Sequence, residues 1–154
     1  MGNQSFSSVV ELIIQSRNPY SRANELGHIT ASGLVVRNNK VLLIFHPFIK
    51  KWMQPGGHID DGESPNEAAI REVYEESGFL CALGSDDSEP IDVDIHEIPA
   101  NPLKNEGTHL HIDLLYCLRV VREERSLEAI RCSWFPFDQV QCARLRRALI
   151  KLGP

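Results

Sequence analysis

Residues 64–78 carry the sequence feature that most restricts the fold, a helix with both ends marked. Ser64 and Glu67 form a capping box with Pro65 at the first helical position, so a helix is predicted to begin there. Gly78 can adopt the left-handed conformation of a C-cap, which predicts that the helix ends at about Ser77. The helix should pack on a neighbouring element through an apolar side formed by Ala69, Ile70 and Val73.

Runs of β-branched and aromatic residues surround that helix. Asn38 and Asn39 tolerate positive φ, which predicts a hairpin between the first two strands. Asp138 with Gln141 is expected to cap a last helix that runs through Leu152. Strands are predicted over residues 28–36, 41–46, 79–83, 91–98, 109–121 and 131–137, and an N-terminal helix over 7–15. We therefore predict an α/β (α+β) fold in a single domain over residues 1–154, with residues 1–26 as a helical extension packed on it.

The negative charge of the chain is concentrated in one segment. Residues 57–79 hold seven acidic residues and only Arg71 as a base, a charge of −6, whereas the other 14 acidic and 15 basic residues sum to +1. A solvated acidic face would have the same composition. Because no basic excess is available to release counterions, strong non-specific binding to nucleic acid is not expected.

Simple sequence patterns argue against a membrane-spanning or secreted protein. The longest purely apolar run, residues 41–45, is far shorter than the about 20 residues that cross a bilayer. The start of the chain lacks the basic and apolar stretches of a signal peptide, so a cytoplasmic protein is expected.

The cysteines form no CxxC pair and are interpreted as reduced, mostly buried thiols. His109 and His111 share a strand face without a second ligand pair nearby, so no zinc site of Cys and His is predicted.

Three carboxylates crowd one turn of the predicted helix. Glu72, Glu75 and Glu76 are spaced i, i+3 and i+4, so they repel one another, and the negative end of the helix dipole adds to that cost. Mg²⁺ compensates for such crowding because it prefers carboxylate and carbonyl oxygens. Arg71, four residues before Glu75, can hold that carboxylate, and the Gly56-Gly57 turn can offer a bare carbonyl. The spacing therefore points to a divalent cation.

The same segment resembles the Nudix hydrolase family. Gly57 is followed after five residues by Glu63, and after seven more by REVYEESGF at residues 71–79, the complete signature of that family. The lead-in from Trp52 to Pro55 and the late Trp134 strand before a last helix are similar too. The resemblance implies a mixed β-sheet sandwiched between helices. It also implies Mg²⁺- or Mn²⁺-dependent hydrolysis of the diphosphate bond in a nucleoside diphosphate linked to another moiety.

The resemblance implies roles for the residues of the signature. Glu72, Glu75 and Glu76 match the metal ligands, and the Gly57 carbonyl matches a frequent additional ligand. Glu63 matches the acid that supports the loop or a second metal, and Arg71 matches the residue that orients the glutamates. The general base is expected to be Glu72 or Glu75. Glu106, in a later loop, is the other candidate, and it can also be simply a solvated loop residue.

Histidines are the candidate substrate residues. His109 and His111 alternate with apolar residues on one strand face together with Asp113, which fits either a pocket that reads a base or sugar or an exposed sheet edge. His58 follows Gly57 directly and can approach a phosphate. Trp52 is expected in the core, with stacking on a base as the other interpretation.

Three functions are compatible with the sequence. The first is a pyrophosphohydrolase acting on a small nucleotide, favoured because Glu63, Arg71 and the three metal-site glutamates are all present. The second is a Nudix-fold module that senses a nucleotide without turning it over, and the third is hydrolysis at an RNA 5′ end. No membrane partner is expected, whereas the particular nucleotide and the choice between monomer and homodimer are left open.

Overall fold

The computed structural model describes residues 3–128 and 130–153, and it shows a mixed sheet between helices. The mixed α+β architecture expected from the sequence is confirmed. Within the described residues, the order is α1 (Asn3–Gln15), β1 (Gly27–Arg37), β2 (Lys40–Phe45), β3 (Trp52–Met53), β4 (Gly56–His58), α2 (Pro65–Ser77), β5 (Phe79–Leu83), β6 (Asp92–Ile98), β7 (His109–Glu123), β8 (Cys132–Pro136) and α3 (Ala143–Leu152).

The sheet is built around a parallel pair, β1 and β7. Their register runs from Gly27 opposite Leu110 to Val35 opposite Leu118, and the other strand pairs are antiparallel. Strand β1 pairs with β4 through its first half and with β2 at its end, while β7 pairs with β6 and then with β5. The short strand β4, which begins the acidic segment, is therefore held directly against the central pair.

Alternation along the central strands separates two cores. On one face of the sheet, Leu34 and Leu115 pack with Leu145 of α3. On the other face, Val35 and Leu118 pack with Val73 of α2. Helices α2 and α3 thus cover opposite faces. Helix α1 adds Ile13 against Leu110 and Ile112 of β7. No helix in the described part of the chain is long and apolar enough to cross a bilayer.

Helix α2 forms as its end signals predict. The Ser64 side chain accepts the Glu67 backbone N–H, and the Glu67 side chain accepts the Ser64 backbone N–H, which completes the capping box. Gly78 is left-handed at φ 82°, and a Cβ atom there would lie 2.2 Å from the Glu124 carbonyl oxygen. The predicted hairpin is also confirmed, since Asn38 and Asn39 have φ of 53° and 58°.

Two predictions fail at the periphery of the fold. Asp138 lies in a short 3-10 turn, Phe137–Gln139, and α3 begins only at Ala143 with no side-chain cap. The start of α3 is set instead by tertiary contacts of its arginines with the sheet. The cysteines are free as expected, but only Cys81 is buried, while Cys132 and Cys142 are exposed. Cys132 lies on β8, which pairs with β2 alone among the described strands, and Cys142 precedes α3.

Candidate active site

One guanidinium organises the acidic segment. Arg71 on α2 makes two hydrogen bonds to Glu63 in the preceding loop, Nε to Oε2 at 2.8 Å and Nη2 to Oε1 at 3.0 Å. Its Nη1 donates to Glu72 at 3.0 Å and to Glu75 at 3.2 Å, and Nη2 also donates to the His58 carbonyl at 2.9 Å. Arg71 therefore connects the loop, the end of β4 and the crowded turn of α2.

The Arg71–Glu63 pair is charged over the whole neutral range. The hydrogen bonds from Arg71 lower the pKa of the Glu63 carboxyl, and those to Glu63 raise the pKa of the Arg71 guanidinium above its ordinary value. A bidentate pair of this kind also fixes the plane of the guanidinium. The remaining donors of Arg71 are consequently aimed at Glu72 and Glu75.

Glu76 is the buried acid of the site. Its side chain accepts the Gly56 backbone N–H at 2.9 Å, and the residue is only 7% exposed. Burial raises the pKa of Glu76 to about 8, and burial likewise raises the pKa of Glu72. Two desolvated carboxyl groups on one helix turn favour a nearby cation, because a positive charge restores their ionised form.

The backbone of β4 passes directly against these carboxylates. A Cβ atom built on Gly57 would lie 2.6 Å from the Glu72 carboxyl carbon, so only glycine permits this approach. Strand pairing fixes the approach, since Gly57 lies opposite Ala31 and Gly56 opposite Ser32. Carboxylate oxygens and exposed backbone in one place are the donor set that suits a hard divalent cation such as Mg²⁺.

An open cavity of about 480 Å³ adjoins Glu76. This volume falls within the range of pockets that bind small molecules. Its wall includes Glu76 and both glycines of β4, and it continues along the α3 face of the sheet. Other residues of its wall are Thr30, Ser32, Trp52, His58, Asp94, His96, His111, Asp113 and Arg144.

The structure divides the candidate substrate residues between two places. His58 and His111 line this cavity. His109 and Glu106 lie in an adjoining recess with Arg22, whose Nη2 is 3.5 Å from Glu106 Oε1. The exposed-edge interpretation of the strand that carries the histidines is wrong, because β7 is central and has strands on both sides.

Trp52 packs at the core as the sequence predicts, whereas its stacking on a base stays a prediction. Its ring packs edge-on against Phe45 and Phe135, as expected for a residue at the margin of the core. The residue is half-buried and also forms part of the cavity wall. A packed ring at the edge of a cavity can offer its free side to a planar ligand.

A buried polar network was missed by sequence reasoning. The Asp113 carboxylate accepts hydrogen bonds from the hydroxyls of Thr30 and Ser32 and from Arg144 of α3. The four residues are all buried in the cavity wall. The available signal was the alternation of Thr30 and Ser32 with apolar residues on β1, which marks a polar strip on a central strand. The strand alone gives no indication that Arg144 would be the partner.

Comparisons with known proteins all point to one family. The NUDIX domain family model matches residues 27–153. A Lactococcus lactis subsp. cremoris protein named "Probable DHNTP pyrophosphohydrolase" is 40% identical over 100 residues, which cover 64% of this chain and 58% of that protein. An ADP-ribose pyrophosphatase of Methanocaldococcus jannaschii is 36% identical over 60 residues, covering 37% of this chain and 36% of that protein. The matched region thus spans less than two thirds of each relative.

Solved structures agree at the level of the fold. The crystal structure of a NUDIX-family hydrolase from Clostridium perfringens matches with a TM-score of 0.62 at 25% identity, covering 81% of this chain and 95% of that chain. The expected sheet between helices and the family resemblance drawn from the signature are both confirmed. Through its sequence from residue 27 to 153 and through its fold, the chain belongs to the NUDIX family of hydrolases.

Proposed function

We propose that this chain is a pyrophosphohydrolase that uses Mg²⁺ or Mn²⁺ to cleave the diphosphate bond of a nucleoside diphosphate linked to another moiety. The observation that carries this proposal is the close approach of the Glu72 carboxylate to the bare backbone of Gly57. On the same helix turn, Glu76 accepts the neighbouring Gly56 N–H, and Arg71 joins Glu75 to Glu72. The names of the Lactococcus and Methanocaldococcus relatives support the same reaction class.

The three glutamates, together with the Gly57 carbonyl, would hold the cation. When bound, a divalent ion neutralises diphosphate charge and increases the acidity of an attacking water. The chain's own residues set the geometry for this chemistry. Arg71 fixes the rotamers of Glu72 and Glu75, and Glu63 fixes Arg71 in turn.

Glu75 is our first choice as the group that accepts the proton of the attacking water, with Glu72 as the alternative. Glu75 is the most exposed of the three glutamates, its side chain being 32% exposed. Arg71 donates to Oε2 of Glu75, and no hydrogen bond from a described residue reaches Oε1. A general base needs such a free oxygen within reach of the proton that it removes. The remainder of the substrate would occupy the cavity, where His58 can contact it.

Phosphate release from a nucleotide panel tests the proposal. The panel contains nucleoside triphosphates, nucleotide sugars, dinucleoside polyphosphates, nicotinamide and flavin dinucleotides and a 5′-triphosphorylated RNA, each assayed with Mg²⁺ and a coupling phosphatase. We expect one class of small nucleotide to be cleaved. Glu75→Gln and Glu76→Gln should each lower turnover by several orders of magnitude, because each removes a carboxylate from the cation site.

Asp61→Asn serves as the matched control, since Asp61 is an exposed acid of the same segment. Asp61→Asn should retain the turnover of the parent. Circular dichroism should show the two glutamate variants folded, because fewer charges on α2 relieve repulsion. Full turnover in both glutamate variants would contradict the site. Nucleotide binding without any turnover would favour the sensing module, and cleavage of the RNA alone would favour the RNA 5′-end reaction.

A further inference from the structure

Five of the six histidines of the chain meet on one face of the sheet. His28 on β1 lies opposite His111 on β7, and His111 lies opposite His96 on β6. His109 is two residues before His111 and faces the same way, while His58 on β4 completes the group. The ring centroids of neighbouring pairs are 4.5–5.9 Å apart.

Three of these imidazoles converge. His28, His109 and His111 each present one ring nitrogen, and these three nitrogens lie within 4.8 Å of one another. Zn–N bonds of about 2.0–2.1 Å place the nitrogens of a tetrahedral site roughly 3.3 Å apart. An ion bound here would require the three nitrogens to reach that separation.

His28 is the residue that ordinary packing leaves unexplained. It is 1% exposed, and neither of its ring nitrogens has a hydrogen-bond partner among the described residues. Buried polar side-chain atoms are normally paired, because an unmade hydrogen bond costs the full desolvation of the group. A ligand that accepts a nitrogen lone pair would remove this cost at one of the two nitrogens.

His109 has one ring nitrogen bonded to the backbone, which leaves the other for a metal. Its Nδ1 is 2.8 Å from the Gly107 carbonyl oxygen, and a carbonyl can only accept, so Nδ1 carries the proton. In the neutral ring, Nε2 then keeps its lone pair. Metal-binding histidines commonly use this arrangement, in which the second nitrogen donates to a backbone carbonyl and fixes the tautomer.

His28 and His111 are also uncharged at neutral pH. Burial, followed by the neighbouring histidines, lowers the pKa of His28 to about 4 and that of His111 to about 3. Neutral imidazole is the form that coordinates a metal. Repulsion between ring charges therefore does not oppose a close approach of these side chains.

We propose that His28, His109 and His111 form a second cation site, which takes Zn²⁺ and is separate from the glutamate site. Three imidazole nitrogens suit zinc or a similar transition metal, whereas Mg²⁺ prefers oxygen ligands. Glu106, whose Oε2 is 3.8 Å from His109 Nε2, is a candidate carboxylate for the fourth position, which a water can otherwise fill. This inference does not depend on the proposed hydrolase activity.

A bound ion would connect the two central strands. His28 belongs to β1, whereas the other two ligands belong to β7. An ion that binds the folded state and not the unfolded one stabilises the fold by mass action. We therefore expect Zn²⁺ to raise the midpoint of thermal unfolding of chelator-treated protein even when Mg²⁺ is already present in excess, because the two ions would occupy different sites.

Cobalt reports directly on the proposed site. The chelator-treated full chain is titrated with Co²⁺ in excess Mg²⁺, and the visible absorption bands of cobalt are recorded. We expect one tetrahedral Co²⁺ per chain, displaced by Zn²⁺. His109→Gln and His111→Gln should each weaken binding by at least about tenfold, since loss of even a supporting partner of a metal ligand has that effect.

His46→Gln is the matched control, because His46 lies outside the cluster and its Nδ1 accepts the backbone N–H groups of Phe48 and Ile49. This variant and Glu76→Gln should both keep the tetrahedral bands. If the histidine variants fail to fold, X-ray absorption of the zinc-loaded parent still counts its imidazole ligands. Octahedral bands, loss of binding in Glu76→Gln, or binding unaffected in both histidine variants would overturn the proposal.

Discussion

At the scale of single residues, the site depends on how Arg71 distributes its donors. An arginine offers five N–H groups in a rigid plane, and here they reach Glu63, Glu72, Glu75 and the His58 carbonyl. A lysine carries the same charge but lacks this geometry. Arg71 therefore lets carboxylates of a loop and a helix lie close together before any cation binds.

Gly57 gives the clearest prediction at this scale. We expect Gly57→Ala to lower turnover by several orders of magnitude, because the new Cβ would lie 2.6 Å from the Glu72 carboxyl carbon and displace it. Gly57 has no positive φ, so the backbone itself tolerates alanine. Steady-state kinetics and a thermal melt would be measured on the same samples.

Gly107→Ala is the control for this substitution, since a Cβ atom there meets no other atom within 4 Å. Its turnover should match that of the parent. Equal turnover in Gly57→Ala and the parent would show that the Glu72 carboxylate can move without consequence, contrary to the proposed role of that side chain.

At the scale of elements, α2 owes its position to chemistry at its two ends. The capping box at Ser64 satisfies backbone donors of the first turn, and Gly78 reverses the chain so that β5 can begin at Phe79. Because Arg71 and the three glutamates lie between these ends, the caps also fix the rotation and the start of the helix that carries the site.

Ser64→Ala tests the contribution of the N-cap. Loss of the side-chain acceptor should lower the free energy of unfolding by about 1 kcal/mol, the usual cost of removing a serine cap. Denaturant unfolding of the parent and the variant measures it. Ser85→Ala, in an exposed loop, should leave the free energy of unfolding unchanged. An equal effect of both substitutions would mean that the cap makes no specific contribution.

At the scale of the whole molecule, one buried acid attaches α3 to the sheet. Asp92 on β6 accepts hydrogen bonds from Arg144, Arg147 and Lys151. Burial acts to raise the pKa of Asp92, but the hydrogen bonds from these three cations outweigh it and bring the pKa well below the ordinary value. These contacts place the second helical layer over the face that carries the cavity.

Asp92→Asn should therefore lower the free energy of unfolding at pH 7 by about 3 kcal/mol, since it leaves the buried Arg144 short of one partner. A depressed folded-state pKa stabilises the protein above the unfolded-state pKa of about 3.9 and loses that effect as pH falls below it. The parent should thus lose stability below about pH 4 more steeply than the variant.

Unfolding free energies across the acid range measure this difference, with Asp138→Asn as the control because Asp138 is exposed and caps no helix. The control should follow the parent at every pH. Parallel pH profiles for Asp92→Asn and the parent would show that Asp92 does not anchor α3 through its charge.

The sequence by itself determined the features that depend on neighbours along the chain. The caps of α2, the positive φ of Asn38 and Asn39, and the spacing of Glu72, Glu75 and Glu76 follow from local geometry. The complete signature over residues 57–79 was likewise sufficient to identify the family. Each of these features involves residues close in sequence, so propensity and spacing predict it.

Only the tertiary structure decided the contacts between distant segments. His28 meets His111 because β1 and β7 pair in parallel in one register, and Asp92 meets Arg144 because α3 packs on that face. The sequence predicts no zinc site at His109 and His111, because no second ligand pair lies nearby in the chain. His28, which meets them in the structure, lies about 80 residues earlier. Strand register and helix docking depend on burial of the whole apolar surface, which no single segment encodes.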